Sequence, residues 1–227
     1  MLFIIIAFMA IGFLVQNRLK SKFSKYSKIP LQTGLSGRDV AVKMLQDNGI
    51  HGVEVMSVPG KLTDHYDPAK KTVNLSPEVY NGHSVAAAAV AAHECGHAIQ
   101  HAQAYKWLEL RSALVPAVNF SSRAMSFIFI FMLLGMGVVS IFSFETVLIT
   151  MIILQGLVTV FTLVTLPVEY DASDRALVYL NQSGITGTLE NDQAKDALKW
   201  AANTYLVAAL ASLTQLAYYI MLFMGRD

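Results

Sequence analysis

Four long apolar runs punctuate an otherwise mixed chain: Leu2–Val15, Ala124–Phe142, Val147–Pro167 and Leu206–Met224. A helix needs about 20 apolar residues to cross a bilayer, so these runs predict about four transmembrane helices, the first of them short. Arg18, Lys20, Lys22, Lys25 and Lys28 follow the first run directly, and basic clusters of this kind stay on the cytoplasmic side. Alternate crossings then place segments 16–123 and 168–205 together on that side. Both carry Lys and Arg, whereas the Ser143–Thr146 connection carries neither. The start shows no basic n-region and no convincing small-residue cleavage site, which predicts a retained anchor rather than a removable signal peptide.

Between the runs the periodicity changes twice. Ser36, with Asp39 three residues on, predicts a capped helix start, and Asn48-Gly49 predicts its end. From Val53 to Leu75 the texture turns to alternation: Val53, Val55, a Pro59-Gly60 turn, Leu62, then Val73 and Leu75 after Asp67-Pro68. This predicts a small antiparallel sheet. Ser84 predicts the cap of a second helix running through the alanine-rich Val85–Ala92. Tyr105–Arg123 reads as an interfacial helix with a bend at Pro116. After the third run, Val168–Leu180 reads as a helix continuing out of the membrane, Gly184 and Gly187 break it, and Asp192–Asn203 is helical again.

Composition agrees with a membrane chain: 54% of the 227 residues are hydrophobic and 15% charged, with a mean hydropathy of +0.47. A net charge of +1 gives no reason to expect a nucleic-acid partner. The one cysteine, Cys95, excludes an intrachain disulfide and a C-x-x-C zinc knuckle, and fits a reducing compartment.

The chemistry concentrates at His93-Glu94-Cys95-Gly96-His97, an HExxH motif. On a helix the i, i+4 spacing stacks both imidazoles on one face, presetting two ligands for Zn2+. Glu94 lies about 100° round the helix from His93, where it can reach a water beside the ion and act as general base. Gly96 permits close approach of a neighbouring backbone. Cys95 points some 200° from His93 and reads as a small packing residue.

A catalytic zinc takes three protein ligands and keeps one position open. Gln100 and Gln103 occupy the places where an extended motif would put Gly and a third His. Glu169, directly after the third apolar run and on the side assigned to the HExxH helix, is the leading choice, with Glu109, Glu78 and Asp171 as rivals. Glu145 falls on the opposite side, and Glu190 follows a Gly-rich turn without helical presentation. His101 shares the drifting face of His93 and His97 but diverges too far to enclose the same ion. His65, Tyr66 and Tyr170 are candidates for oxyanion or substrate binding, with a hydrogen-bonding turn role for His65 at least as well supported. His51 and His83 have no motif around them.

The stretches Leu62-Thr63-Asp64-His65-Tyr66-Asp67-Pro68, Asn74-Leu75-Ser76, Ala91-Ala92-His93-Glu94-Cys95-Gly96-His97-Ala98-Ile99-Gln100 and Leu166-Pro167-Val168-Glu169-Tyr170-Asp171-Ala172-Ser173 resemble the YugP-type family of bacterial membrane zinc metallopeptidases. The resemblance implies membrane location, zinc, HExxH catalysis and Glu169 as third ligand. More distantly the chain is similar to HtpX-type and CAAX-prenyl-protease-type gluzincins, whose ligand glutamate leads a Glu-x-x-Ala-Asp pattern. Ala172 fits, but Ser173 stands where the aspartate would be, and Asp171 or Asp174 are candidates for that carboxylate's role. By the same analogy Thr72–Leu75 is expected to be an edge strand that binds extended substrate.

The expectation is therefore a mostly helical α+β membrane protein with a gluzincin-like small antiparallel sheet beside the HExxH helix. Residues 1–16 would anchor it, 17–123 form a cytoplasmic zinc-peptidase part, 124–167 a transmembrane hairpin, 168–205 cytoplasmic helices with the third ligand, and 206–227 a final transmembrane helix. The expected activity is hydrolysis of membrane proteins or peptides at the cytoplasmic surface of the cell membrane. The competing reading is a non-catalytic zinc-binding scaffold or regulator. Oligomeric state, protein partners and the natural substrate are not encoded in any motif here.

Overall fold

The computed structural model describes residues 2–133 and 142–225. Residues 134–141 of the Ala124–Phe142 run, Met1 and the last two residues lie outside them. The chain forms α1 (Leu2–Tyr26), α2 (Gly37–Asp47), β1 (Glu54–Ser57), β2 (His65–Asp67), β3 (Thr72–Leu75), α3 (Pro77–Tyr80), α4 (Val85–Ala102), α5 (Lys106–Leu133), α6 (Phe144–Gln182) and α7 (Thr188–Met224). It divides into two compact units, one of residues 1–13, 109–166 and 205–227, the other of 14–108 and 167–204.

The first unit gathers the apolar runs. Four described helices, α1, α5, α6 and α7, are long and apolar enough to cross a membrane, and many of their large side chains, Phe3, Phe127, Phe129 and Ile153 among them, are exposed. Lipid tails are as apolar as leucine, so hydrophobic burial does little to pair such helices and polar contacts take over. Gln155 Nε2 donates to Ser212 Oγ at 3.0 Å, and the Thr159 and Ser212 hydroxyls meet at 2.8 Å, joining α6 to α7.

Two expected boundaries vanish. The interfacial segment from Lys106 on and the described start of the second run belong to one helix, α5, which continues through Pro116. Asp192–Asn203 joins the last run in α7, while the third run continues through Pro167 into Val168–Leu180, as expected, within the 39-residue α6. A helix closes its hydrogen bonds internally, so a change from apolar to polar side chains marks a change of solvent and not an end of the helix. The break at Gly184 and Gly187 stands, between α6 and α7.

The second unit is built around α4. Ser84 caps it, accepting from Ala87 N at 3.2 Å, and residues on every side of the helix are buried, the signature of a core helix. Met44 and Leu45 of α2, Val73 and Leu75 of β3 and Leu180 of α6 belong to the same buried cluster, each contributing about 1.5–3 kcal/mol by leaving water. The α2 start is the expected capping box between Ser36 and Asp39.

The sheet differs from expectation in one pairing. Its order is β1-β3-β2; β2 pairs with β3 antiparallel, His65 opposite Asn74, but β1 pairs with β3 in parallel, Val55 opposite Val73. Thr72–Leu75 is thus the central strand, buried along its whole length, and cannot serve as an edge. The edges are β1 and β2.

Candidate metal centre

HExxH occupies the middle of α4, and the i, i+4 spacing brings the His93 and His97 rings together with centroids 4.8 Å apart. Glu169 enters from α6, two residues beyond Pro167. Its Oε2 lies 3.4 Å from His93 Nε2 and 3.6 Å from His97 Nε2. All three ligand atoms lie within 4.8 Å of one another. A tetrahedral zinc with bonds of about 2.0–2.1 Å puts its ligand atoms about 3.3–3.5 Å apart, close to the two spacings from Glu169 to the imidazoles. Among the described residues no fourth His, Cys, Asp or Glu atom joins the cluster.

The far side of each imidazole is held as well. His97 Nδ1 lies 3.0 Å from Gln100 Oε1; Gln100 Nε2 in turn donates to Val168 O at 2.8 Å and to Asp171 Oδ2 at 2.7 Å. Arg175 Nε donates to the same Asp171 oxygen at 2.5 Å. His93 Nδ1 lies 3.2 Å from Ser173 Oγ. With both Nδ1 atoms engaged, both Nε2 atoms face Glu169, the tautomer and orientation a metal requires. Ser173 itself thus contacts the ligand histidine, and Asp171 reaches His97 through Gln100, while Asp174 is exposed.

Gly96 explains how α6 comes so near. A Cβ at that position would sit 2.6 Å from Ala172 O, so only glycine lets the two backbones approach and set Glu169 over the histidines. Glu94, Glu169 and His97 are all buried. Burial pushes the Glu94 carboxyl above its usual range, opposed by His93 and His97 and reinforced by Glu169 and Asp64. Burial pulls the His97 imidazole down, but Glu169, Glu94 and Gln100 outweigh it and leave it raised.

The other candidates are elsewhere. Glu78 pairs with Lys61 at 2.7 Å, and Glu145 opens α6, roughly 36 Å from Glu169 at the rise of a helix. Glu109 lies in the first turn of α5. Glu190, expected to lack helical presentation, stands buried in the first turn of α7, where it accepts from Gly187 N and Gln32 N at 2.8 Å. His101 is bound to Tyr66, with 2.8 Å between Nδ1 and the hydroxyl. His65 is held by Thr63 O at 2.7 Å and faces Asn74 at 3.3 Å, the turn role. Tyr170 is exposed. The Cys95 thiol contacts Ala41 O at 3.5 Å and burial raises its pKa, which makes it a packing group.

A His-His-Glu triangle carried on two helices is a donor set that suits zinc. The family described as "Putative neutral zinc metallopeptidase" matches residues 1–224, and the chain belongs to it. It is also 40% identical over 227 residues, all of this chain and 98% of the relative, to a Bacillus subtilis (strain 168) protein named "Putative membrane protease YugP". No solved structure matches.

Proposed function

We propose that the chain is a zinc-dependent endopeptidase embedded in the cell membrane, with His93, His97 and Glu169 as ligands and Glu94 as general base. The observation that carries this reading is the position of Glu169 Oε2, 3.4 and 3.6 Å from the two Nε2 atoms. Zinc bound there would supply a Lewis acid that polarises a peptide carbonyl and acidifies water. Glu94 takes the proton of the attacking water and returns it to the leaving amine, while Ser173 and Gln100 keep the imidazoles aimed.

An extended substrate has a strand edge to pair with at β2, whose Tyr66 is hydrogen-bonded to His101 on α4. The basic residues after the first apolar run support placing 17–123 and 168–205 on the cytoplasmic side, with 1–16, 124–167 and 206–227 in the bilayer. Substrates are then membrane proteins or peptides at that surface. A non-catalytic zinc scaffold has no use for Glu94 and would close with a fourth ligand.

The test compares the proteomes of membranes carrying wild-type chain or Glu94→Gln. Full-length membrane proteins accumulating only with Glu94→Gln support the peptidase; identical proteomes, with no hydrolysis of unfolded protein by the purified zinc-loaded wild type, refute it.

A further inference from the structure

A groove of about 1220 Å³ opens on the second unit, and none of the metal-site residues lines it. One wall is a stripe of α1, with Gln16, Lys20 and Phe23 at helical spacing, continued by Ser27 just past its end; the other includes Lys61, Leu62 and His83. Lys61 is neutralised by Glu78 at 2.7 Å. Lys22, also on α1 but outside the lining, is committed to Asp196 at 2.6 Å. Lys20 and Lys28, both exposed and both lining the groove, form no ion pair among the described residues. The groove therefore carries unneutralised positive charge and suits an anion.

Its position narrows the anion. α1 is one helix from the apolar run to Tyr26, so Lys20 lies about 7.5 Å along the axis beyond Val15, at the depth of the headgroup layer, about 5–8 Å thick on each side of the hydrocarbon. The opposite rim has a matching feature. Leu62 is exposed and held at φ 56 after Gly60 at φ 115, a backbone region uncommon for a leucine. The loop is pinned behind it by Asp64, which accepts from Ser76 N at 2.7 Å. An apolar side chain fixed outward beside a lysine is what a lipid interface rewards.

We propose that this groove seats the headgroup of an anionic phospholipid, with Lys20 and Lys28 supplying the charge for its phosphate and Phe23 and Leu62 the apolar contact for its glycerol and first methylenes.

The test is lipid binding by the full chain in neutral detergent, titrated with phosphatidylglycerol or phosphatidylcholine and counted by native mass spectrometry, a readout independent of peptidase activity. Wild type is expected to bind phosphatidylglycerol at least about tenfold more tightly than phosphatidylcholine. Lys20→Gln with Lys28→Gln should abolish that preference, and Lys20→Arg with Lys28→Arg should keep it. Arg18→Gln with Lys25→Gln removes equal charge outside the groove and should also keep it. Equal weakening by that outer pair would show diffuse attraction, and displacement of the lipid by millimolar inorganic phosphate would show a free-phosphate site. Either result, or no preference in wild type, overturns the proposal.

Discussion

Gln100 on α4 and Asp171 on α6 are joined by a 2.7 Å hydrogen bond, and through Gln100 Oε1 that bond fixes the Nδ1 of His97 at 3.0 Å. The contact ties the two ligand-bearing helices together and orients a ligand at once. Gln100→Leu is expected to weaken zinc binding about 10–100-fold, whereas Gln100→Glu, which keeps an acceptor for His97, should lose less. Competition against a chromophoric chelator measures both; unchanged affinity in Gln100→Leu would remove Gln100 from the support of the site.

Ser173 holds the other imidazole from its Nδ1 side at 3.2 Å. Ser173→Ala is expected to weaken zinc by about tenfold. Ser173→Asp places a carboxylate at the same point and should bind zinc at least as tightly as wild type, in the same chelator assay.

Gly96 faces the backbone of Ala172 with no room for a methyl group. Gly96→Ala must push α6 away, an overpacking expected to cost about 1–3 kcal/mol and to carry Glu169 off the histidines. A lower thermal midpoint together with weaker zinc binding is the expected pair of results. Loss of stability with unchanged zinc affinity would show that the helix contact does not set the ligand geometry.

Glu94 is buried beside the ligands without belonging to their triangle. Glu94→Gln should retain zinc at wild-type stoichiometry and lower peptide hydrolysis about 10²–10⁴-fold, read by metal analysis and by cleavage of an unfolded protein substrate. Retention of wild-type cleavage would end its assignment as general base.

Much of the centre was legible because it is local. Two histidines four apart on an alanine-rich, Ser84-capped helix announce their shared face, and Gly96 announces a close neighbour. Glu169 followed from the side of the membrane its segment was expected to share with the HExxH helix and from the family resemblance. Gln100 and Ser173 were not legible as supports, since each acts on a partner 68 to 80 residues away or through one, and nothing in their own surroundings names it; only the helical i+3 spacing of Gln100 from His97 hinted at contact. The sheet was half legible for a similar reason. Alternation marks β1 and β3 as strands but does not name their partners, and β3 slots between β1 and β2 instead of pairing in chain order. Glu190 was misjudged because a residue just after a Gly turn can be the first-turn acceptor of the next helix, as its bonds to Gly187 N and Gln32 N show.

The most direct measurement is the zinc content and affinity of Glu169→Ala beside Glu145→Ala, which lies at the far end of the same helix. Zinc binding is expected to fall by about two orders of magnitude or more in Glu169→Ala and to stay at the wild-type value in Glu145→Ala. Wild-type zinc affinity in Glu169→Ala would contradict the convergence of that carboxylate with His93 and His97 on one ion.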